Sequence, residues 1–398
     1  MPNAALAEVL RADRGRLLAA LIARTGDFQR AEDALQEAAA SALVHWARSG
    51  VPDNPAAWLL RAGFRKAIDA FRRDRAAIRN QAAMEVLAME EAADPDPQAI
   101  PDERLRLIFT CCHPALEEKS RVALTLRSLC GLSTSQVAAV YLDSDTTMGQ
   151  RLSRAKAKIA GAGIPFAIPG PEDWPARLNS VLTVVYLIFT AGYAQGPESD
   201  LAAEAILLAR LLAKLSPDEP EVEGCLALLL LTHARAAARI SPEGQTLPPG
   251  QQNRTLWDAA MLAEGQATLD RAVTRCRPGP FQIKAAIAAL HTAEGGPDWP
   301  QISALYARLL IFEPTPVIRL NLAVALSEAG GLGEALFDLL ALEPELANYQ
   351  PFHAAKADLL ARSGQVSAAR TAYARAIALS TSPADIAFLR QRVSQLTG

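Results

Sequence analysis

The sequence carries little that would tie it to a membrane, an oxidising compartment or a chemical reaction. Five cysteines in 398 residues, an odd number in a long chain, give no disulfide framework and fit a reducing compartment. The amino terminus shows no basic segment followed by an apolar one. The longest apolar run, Val181 to Ala191, falls short of the roughly 20 residues needed to cross a bilayer. A soluble, cytoplasmic protein with no membrane partner is expected. There is no P-loop, no GxGxxG after a strand, no HExxH and no nucleophile elbow. The histidines, His45, His113, His233, His291 and His353, are scattered, so neither enzymatic activity nor a cofactor is expected. Cys111-Cys112-His113 looks like part of a metal site. Adjacent residues diverge by about 100° on a helix, however, and no second ligand pair follows at zinc-finger spacing. His113, before Pro114 at a helix end, reads as a cap or core residue. The net charge of −3 argues against a uniformly basic surface.

Runs of β-branched residues are also scarce. Half of the chain is hydrophobic, with Ala and Leu dominant, and these side chains lose little freedom in a helix. An all-α fold of two or three domains is expected. The first, residues 1–92, reads as several helices: Asp27 caps one that carries Phe28, Ala31, Leu35 and Ala38, and Asn54-Pro55 opens another that runs through Trp58, a residue expected mostly in the core. Ala93-Asp94-Pro95-Asp96-Pro97 marks a linker over residues 93–100. The second domain, residues 101–162, ends in a short helix at Gln136 to Tyr141, a turn at Leu142 to Asp145 and a basic helix from Thr146 to Ile159. This is a helix-turn-helix pattern, and Leu132, Val137, Ala138, Met148 and Leu152 fall at spacings that close one small core. A Pro/Gly-rich linker, residues 163–173, leads to residues 174–398, a succession of helical hairpins. In Pro316–Leu342 and Phe352–Leu379, small residues at helix contacts with a Gly between the helices follow the tetratricopeptide pattern.

Basic charge is unevenly placed. Arg61, Arg65, Lys66, Arg72, Arg73, Arg75 and Arg79 are opposed only by Asp69 and Asp74, and Arg151, Arg154, Lys156 and Lys158 form a second cluster without an acid. Taken alone, such clusters are usually solvated helix faces. On a near-neutral chain they can also mark a local polyanion contact.

Asp27-Phe28, Ala31-Glu32-Asp33-Ala34-Leu35-Gln36-Glu37-Ala38, Asn54-Pro55-Ala56-Ala57-Trp58-Leu59-Leu60-Arg61 and Ala67-Ile68-Asp69-Ala70-Phe71-Arg72-Arg73, followed by a helix-turn-helix, resemble the extracytoplasmic-function group of bacterial RNA polymerase sigma factors. Arg104 to Leu116, Tyr186-Leu187-Ile188-Phe189 with Gly192-Tyr193, and Ala286 to His291 resemble its subgroup with a C-terminal tetratricopeptide-like extension. The resemblance covers nearly the whole chain. It implies a non-enzymatic protein that joins core RNA polymerase and directs it to promoter DNA. Glu32, Asp33, Leu35, Gln36 and Glu37 would dock on the clamp of the polymerase β′ subunit. The loop from Ser49 through Asp53 and Asn54 would hold a flipped −10 base, with Arg61, Arg65, Lys66, Arg72 and Arg73 on the opened strand. Gln150, Arg151, Ser153 and Arg154 would read the −35 element in the major groove, with Lys156 and Lys158 on phosphates. The extension would regulate activity, through a regulatory protein or an intramolecular contact.

Three departures accompany the resemblance. Phe64-Arg65 stands where relatives show Arg-Asn, which implies a −10 readout that is either lost or altered. Gly149 lies on the recognition helix, where it weakens the helix by about 0.8–1.0 kcal/mol relative to Ala. Thr190-Ala191 replaces an Asn-Glu pair, so any binding by that pair in relatives is not expected here. Two other readings of the residues remain open: a helix-turn-helix regulator that acts without polymerase, and a tetratricopeptide-type scaffold with incidental basic patches.

Overall fold

In the computed structural model the described residues are 2–75, 103–141, 143–195 and 201–396. The Asp/Pro linker at 93–97 and the helical reading out to Met89 lie outside them, as do the side chains of Arg73 and Arg75. Among the described residues every regular element is a helix. The helices are α1 (Pro2–Thr25), α2 (Phe28–Ser49), α3 (Pro55–Arg75), α4 (Arg104–Cys111), α5 (Glu118–Ser128), α6 (Thr134–Tyr141), α7 (Asp145–Gly161), α8 (Trp174–Gln195), α9 (Leu201–Leu215), α10 (Pro220–His233), α11 (Ala259–Thr274), α12 (Pro280–Thr292), α13 (Trp299–Phe312), α14 (Pro316–Glu328), α15 (Leu332–Leu340), α16 (Glu343–Leu346), α17 (Gln350–Arg362), α18 (Val366–Leu379) and α19 (Pro383–Ser394). They form two compact units, residues 1–191 and 192–398, and the division falls inside α8.

In the first unit α1, α2 and α3 pack mutually. The starts of α2 and α3 have local causes. The Asp27 carboxylate accepts a hydrogen bond from the Arg30 amide at 3.0 Å, and Asn54 Oδ1 accepts from the Ala57 amide at 3.0 Å, satisfying amides that a helix start leaves bare. Along α2 the residues Phe28, Ala31, Leu35, Ala38, Ala42 and Trp46 are buried, an apolar stripe at helical spacing. The helix-turn-helix pair is α6 and α7. Ser133 and Gln136 cap α6 reciprocally, amide to side chain, at 3.1 and 2.8 Å, and Ser144 caps α7 through the Thr147 amide. Val137, Ala138, Met148 and Leu152 are buried between them as the spacing predicts, joined by Ala155 and Ile159; Leu132 is half-buried.

α8 shows what an uninterrupted apolar run misses. Trp174–Tyr193 is long and apolar enough to cross a membrane by length and composition, although half of it is buried in the protein. Its first turns carry polar ties to the helix-turn-helix domain. Arg177 donates to the Phe109 carbonyl at 2.7 Å, Ser180 to the Cys112 carbonyl at 2.7 Å, and Trp174 lies against Phe109. Cys112, enclosed here, has its thiol pKa pushed up to about 11 by burial. His113 Nδ1 accepts from the Ala115 amide at 3.1 Å, a turn cap.

The second unit is built from stacked hairpins around α10, which is buried along nearly its whole length, as a helix apolar all round must be. α11 and α12 flank it. Glu221 accepts from the Phe281 and Gln282 amides at the start of α12, a carboxylate at the positive end of a helix. Two hairpins, α14 with α15 and α17 with α18, correspond to the repeats read from the sequence, and Leu339, Phe352, Leu360 and Tyr373 share their core. Gly330 and Gly364 turn each pair at φ 101° and 81°, the left-handed conformation that closes a helix. Gly224 lets α10 and α12 approach closely: a Cβ there would lie 2.7 Å from the Gln282 amide nitrogen. Gly224→Ala is therefore expected to destabilise this unit by about 1–3 kcal/mol, read as a lowered urea midpoint at unchanged helicity. An unchanged midpoint would contradict this packing.

Candidate nucleic-acid and polymerase interface

On α2, residues Asp33, Gln36 and Glu37 face solvent, opposite the buried stripe. Gln29 donates to Asp33 at 2.9 Å, and Lys66 of α3 approaches Glu37 at 3.8 Å. Between these helices lies a groove of about 590 Å³ lined by Glu37, Val44, His45, Arg48, Trp58 and Lys66. Trp58 is half-buried rather than in the core: it stacks on His45, ring centroids 5.5 Å apart, and meets Trp46 edge-on. It sits at the margin of the α3 apolar face, one residue ahead of the fully buried Leu59. A half-exposed tryptophan beside cations and an imidazole offers a stacking surface. A second groove, about 540 Å³, joins Glu37, Lys66, Asp69 and Arg72. Ser49, Asp53, Asn54, Arg61, Arg65 and Arg72 are exposed, so the turn between α2 and α3 and the outer face of α3 form one accessible surface.

Glu32 and Leu35 do not share the exposure of their neighbours. Leu35 belongs to the core, and Glu32 is only 2% exposed. Its carboxylate takes a hydrogen bond from Arg14 of α1 at 3.0 Å and one from Lys156 of α7 at 2.6 Å, with Arg127 at 3.9 Å. Burial would raise its pKa, but the Lys156 bond and the charges of Lys156, Arg14 and Arg127 outweigh that and hold it below the usual glutamate value. At Arg14, burial and the neighbouring Arg127 lower the pKa against the pull of Glu32; a guanidinium stays charged regardless. Arg14 also donates to the Arg127 carbonyl at 3.2 Å. One buried carboxylate thus clasps the α1–α3 bundle to the helix-turn-helix domain.

The recognition helix α7 divides the predicted −35 set. Gln150, Ser153, Arg154 and Lys158 are exposed on one side, with the apolar stripe behind them. Arg151 is half-buried, paired with Asp143 and lying over the Tyr141 ring. Lys156, expected on phosphates, turns to Glu32 instead, because it lies about 40° from Leu152 around the helix, at the edge of the buried stripe. Sequence reasoning did not find Arg14 and Arg127 as the other partners of that carboxylate, nor Arg48 and His45 beside Trp58. The signal for Glu32 was present: it sits four residues after Phe28 and three before Leu35, within the buried stripe.

Residues 9–77 match the model of Sigma-70 region 2, and residues 106–159 match Sigma-70, region 4. The chain belongs to the sigma-70 family. Residues 177–273 match a family of unknown function, DUF6596. A full-length relative, an uncharacterized protein of Rhizobium meliloti (strain 1021), is 42% identical over 396 residues, covering 96% of this chain and 94% of its own. No solved structure matches the chain. The protein is thus an extracytoplasmic-function-like sigma factor with a C-terminal extension. It binds core RNA polymerase and promoter DNA and directs transcription initiation. Sigma-factor families are not enzymes.

Proposed function

We propose that this sigma factor engages the clamp of the polymerase β′ subunit through Asp33, Gln36 and Glu37. It holds the −10 strand along the Ser49–Asn54 turn, Trp58, Arg61, Arg65, Lys66 and Arg72, and it reads the −35 element with Gln150, Ser153 and Arg154, Lys158 lying on phosphate. The observation that carries this reading is the segregation of faces: α2 and α7 each present a polar, charged side to solvent and back it with a buried apolar stripe. Arg73 belongs to the same basic run. Glu32 and Lys156 join this scheme only after the clasp between the two domains is released, so the arrangement described is a closed form that core polymerase must open. The extension is the regulatory part, and the ties from Arg177 and Ser180 to region 4 favour an intramolecular route.

The test is run-off transcription with core polymerase over genomic DNA, which yields function and promoter sequence together. Glu37→Arg is expected to weaken assembly with core polymerase by at least about tenfold, equivalent to 1.4 kcal/mol, while leaving the fold intact by circular dichroism. Transcripts that do not depend on this protein, alongside tight binding of the free protein to duplex DNA, would favour the polymerase-independent regulator instead.

A further inference from the structure

Among the described residues of the second unit, one buried cation meets no carboxylate. Arg235, just past the end of α10, is 8% exposed, and its Nε and Nη1 are enclosed without a hydrogen-bond partner. The charged or ionisable groups that act on it are Tyr193 and a second cation, Arg239. Arg239 lies 3.4 Å above the centre of the Tyr193 ring and donates to the Tyr193 carbonyl at 2.7 Å. His291 of α12 completes the cluster: it feels the charge of Arg235, packs edge-on against Trp299, and its Nδ1 is enclosed without a partner. Asp258 is otherwise engaged, capping α11 through the Met261 amide and facing His233.

Leaving a guanidinium enclosed and unpaired is costly, and interiors avoid it unless something supplies the missing acceptor. Here the charge of Arg235 is felt by an imidazole and opposed by a second guanidinium, and among the described residues no carboxylate meets Arg235. Burial and the Arg235 charge bring the His291 pKa down to about 4, so at neutral pH the ring adds a neutral donor rather than a third positive charge. Tyr193 and Arg239 are half-buried, less enclosed than Arg235. We propose that this cluster is a binding site for a small oxyanion-bearing ligand, a carboxylate or a phosphate, which Arg235 holds from within and Arg239 from the rim. The fork of a guanidinium matches either group by paired hydrogen bonds. Such a site would let the extension sense a metabolite, and it stands independently of the promoter reading.

The experiment uses the full-length protein without polymerase. Binding of inorganic phosphate and of succinate is followed by calorimetry and by the His291 proton resonances, against chloride at matched ionic strength. One of the two anions is expected to bind saturably and to shift His291 more than His45, His113, His233 or His353. Phosphate alone would identify a phosphorylated ligand, succinate alone a carboxylate. Arg235→Met is expected to weaken binding by at least tenfold, since a charge-assisted bond is lost. Arg239→Met, at the rim, is expected to weaken it as well and covers the case in which the first variant does not fold. The proposal is overturned if neither anion moves His291 beyond the chloride control, or if both variants bind as the unaltered protein does.

Discussion

Glu32→Ala is expected to cost the free sigma factor about 3 kcal/mol, the low end for breaking a buried ion pair by removing one partner. The loss would come less from the attraction removed than from what remains. Arg14 is enclosed and would keep only its bond to the Arg127 carbonyl, while Lys156 and Arg127 would face each other across the vacated carboxylate. Lys156 and Arg127 are partly exposed and can turn to water, which places the effect at that low end. Urea unfolding at neutral pH checks it; a loss below about 1 kcal/mol would mean that solvent already screens the cluster. The sign of the pH dependence follows from the depressed pKa of Glu32. Its contribution is present above the ordinary glutamate range near 4.3 and disappears as pH falls through the lower folded value. The midpoints of Glu32→Ala and the unaltered protein should therefore converge in that acid window. Lys156→Met separates closure from stability, since Arg14 still satisfies Glu32: it should cost under about 1 kcal/mol and assemble with core polymerase faster.

The caps that start α2, α3, α6 and α7 were legible because their physics is local: a side-chain acceptor two or three residues ahead of a bare amide needs no knowledge of the rest of the chain. The helix-turn-helix core was legible for the same reason. The bond from Lys156 to Glu32 was not legible because the two lie 124 residues apart in sequence, and nothing in a helical period announces an ion pair across domains. Trp58 was misplaced because an apolar neighbourhood in sequence does not say which residue stands at the margin of the packed face. Arg235 escaped notice because it reads as one more arginine beside a helix end. Only burial without an acceptor sets it apart, and burial is a property of the folded unit.

Arg154→Glu is expected to abolish promoter-specific transcription while leaving core polymerase binding unchanged. Arg154 is exposed on the outer face of α7. If it pairs with a guanine, its loss removes about 1–3 kcal/mol of discrimination, and a carboxylate placed against the phosphate array adds repulsion, so −35 affinity should fall by more than about 100-fold. Arg151 is the poorer probe: reversing it would set a carboxylate against Asp143, its present partner, and disturb the turn as well as the contact. Arg154→Ala then distinguishes two kinds of contact. A phosphate contact would weaken binding uniformly across sequences and reduce the salt slope by about one. A base contact would relax specificity at a single promoter position and leave the slope nearly unchanged. Run-off over genomic DNA with each variant reads both, because the start sites used would scatter in the second case and only diminish in the first. Promoter choice indifferent to Arg154→Glu would remove α7 from the reading of the −35 element.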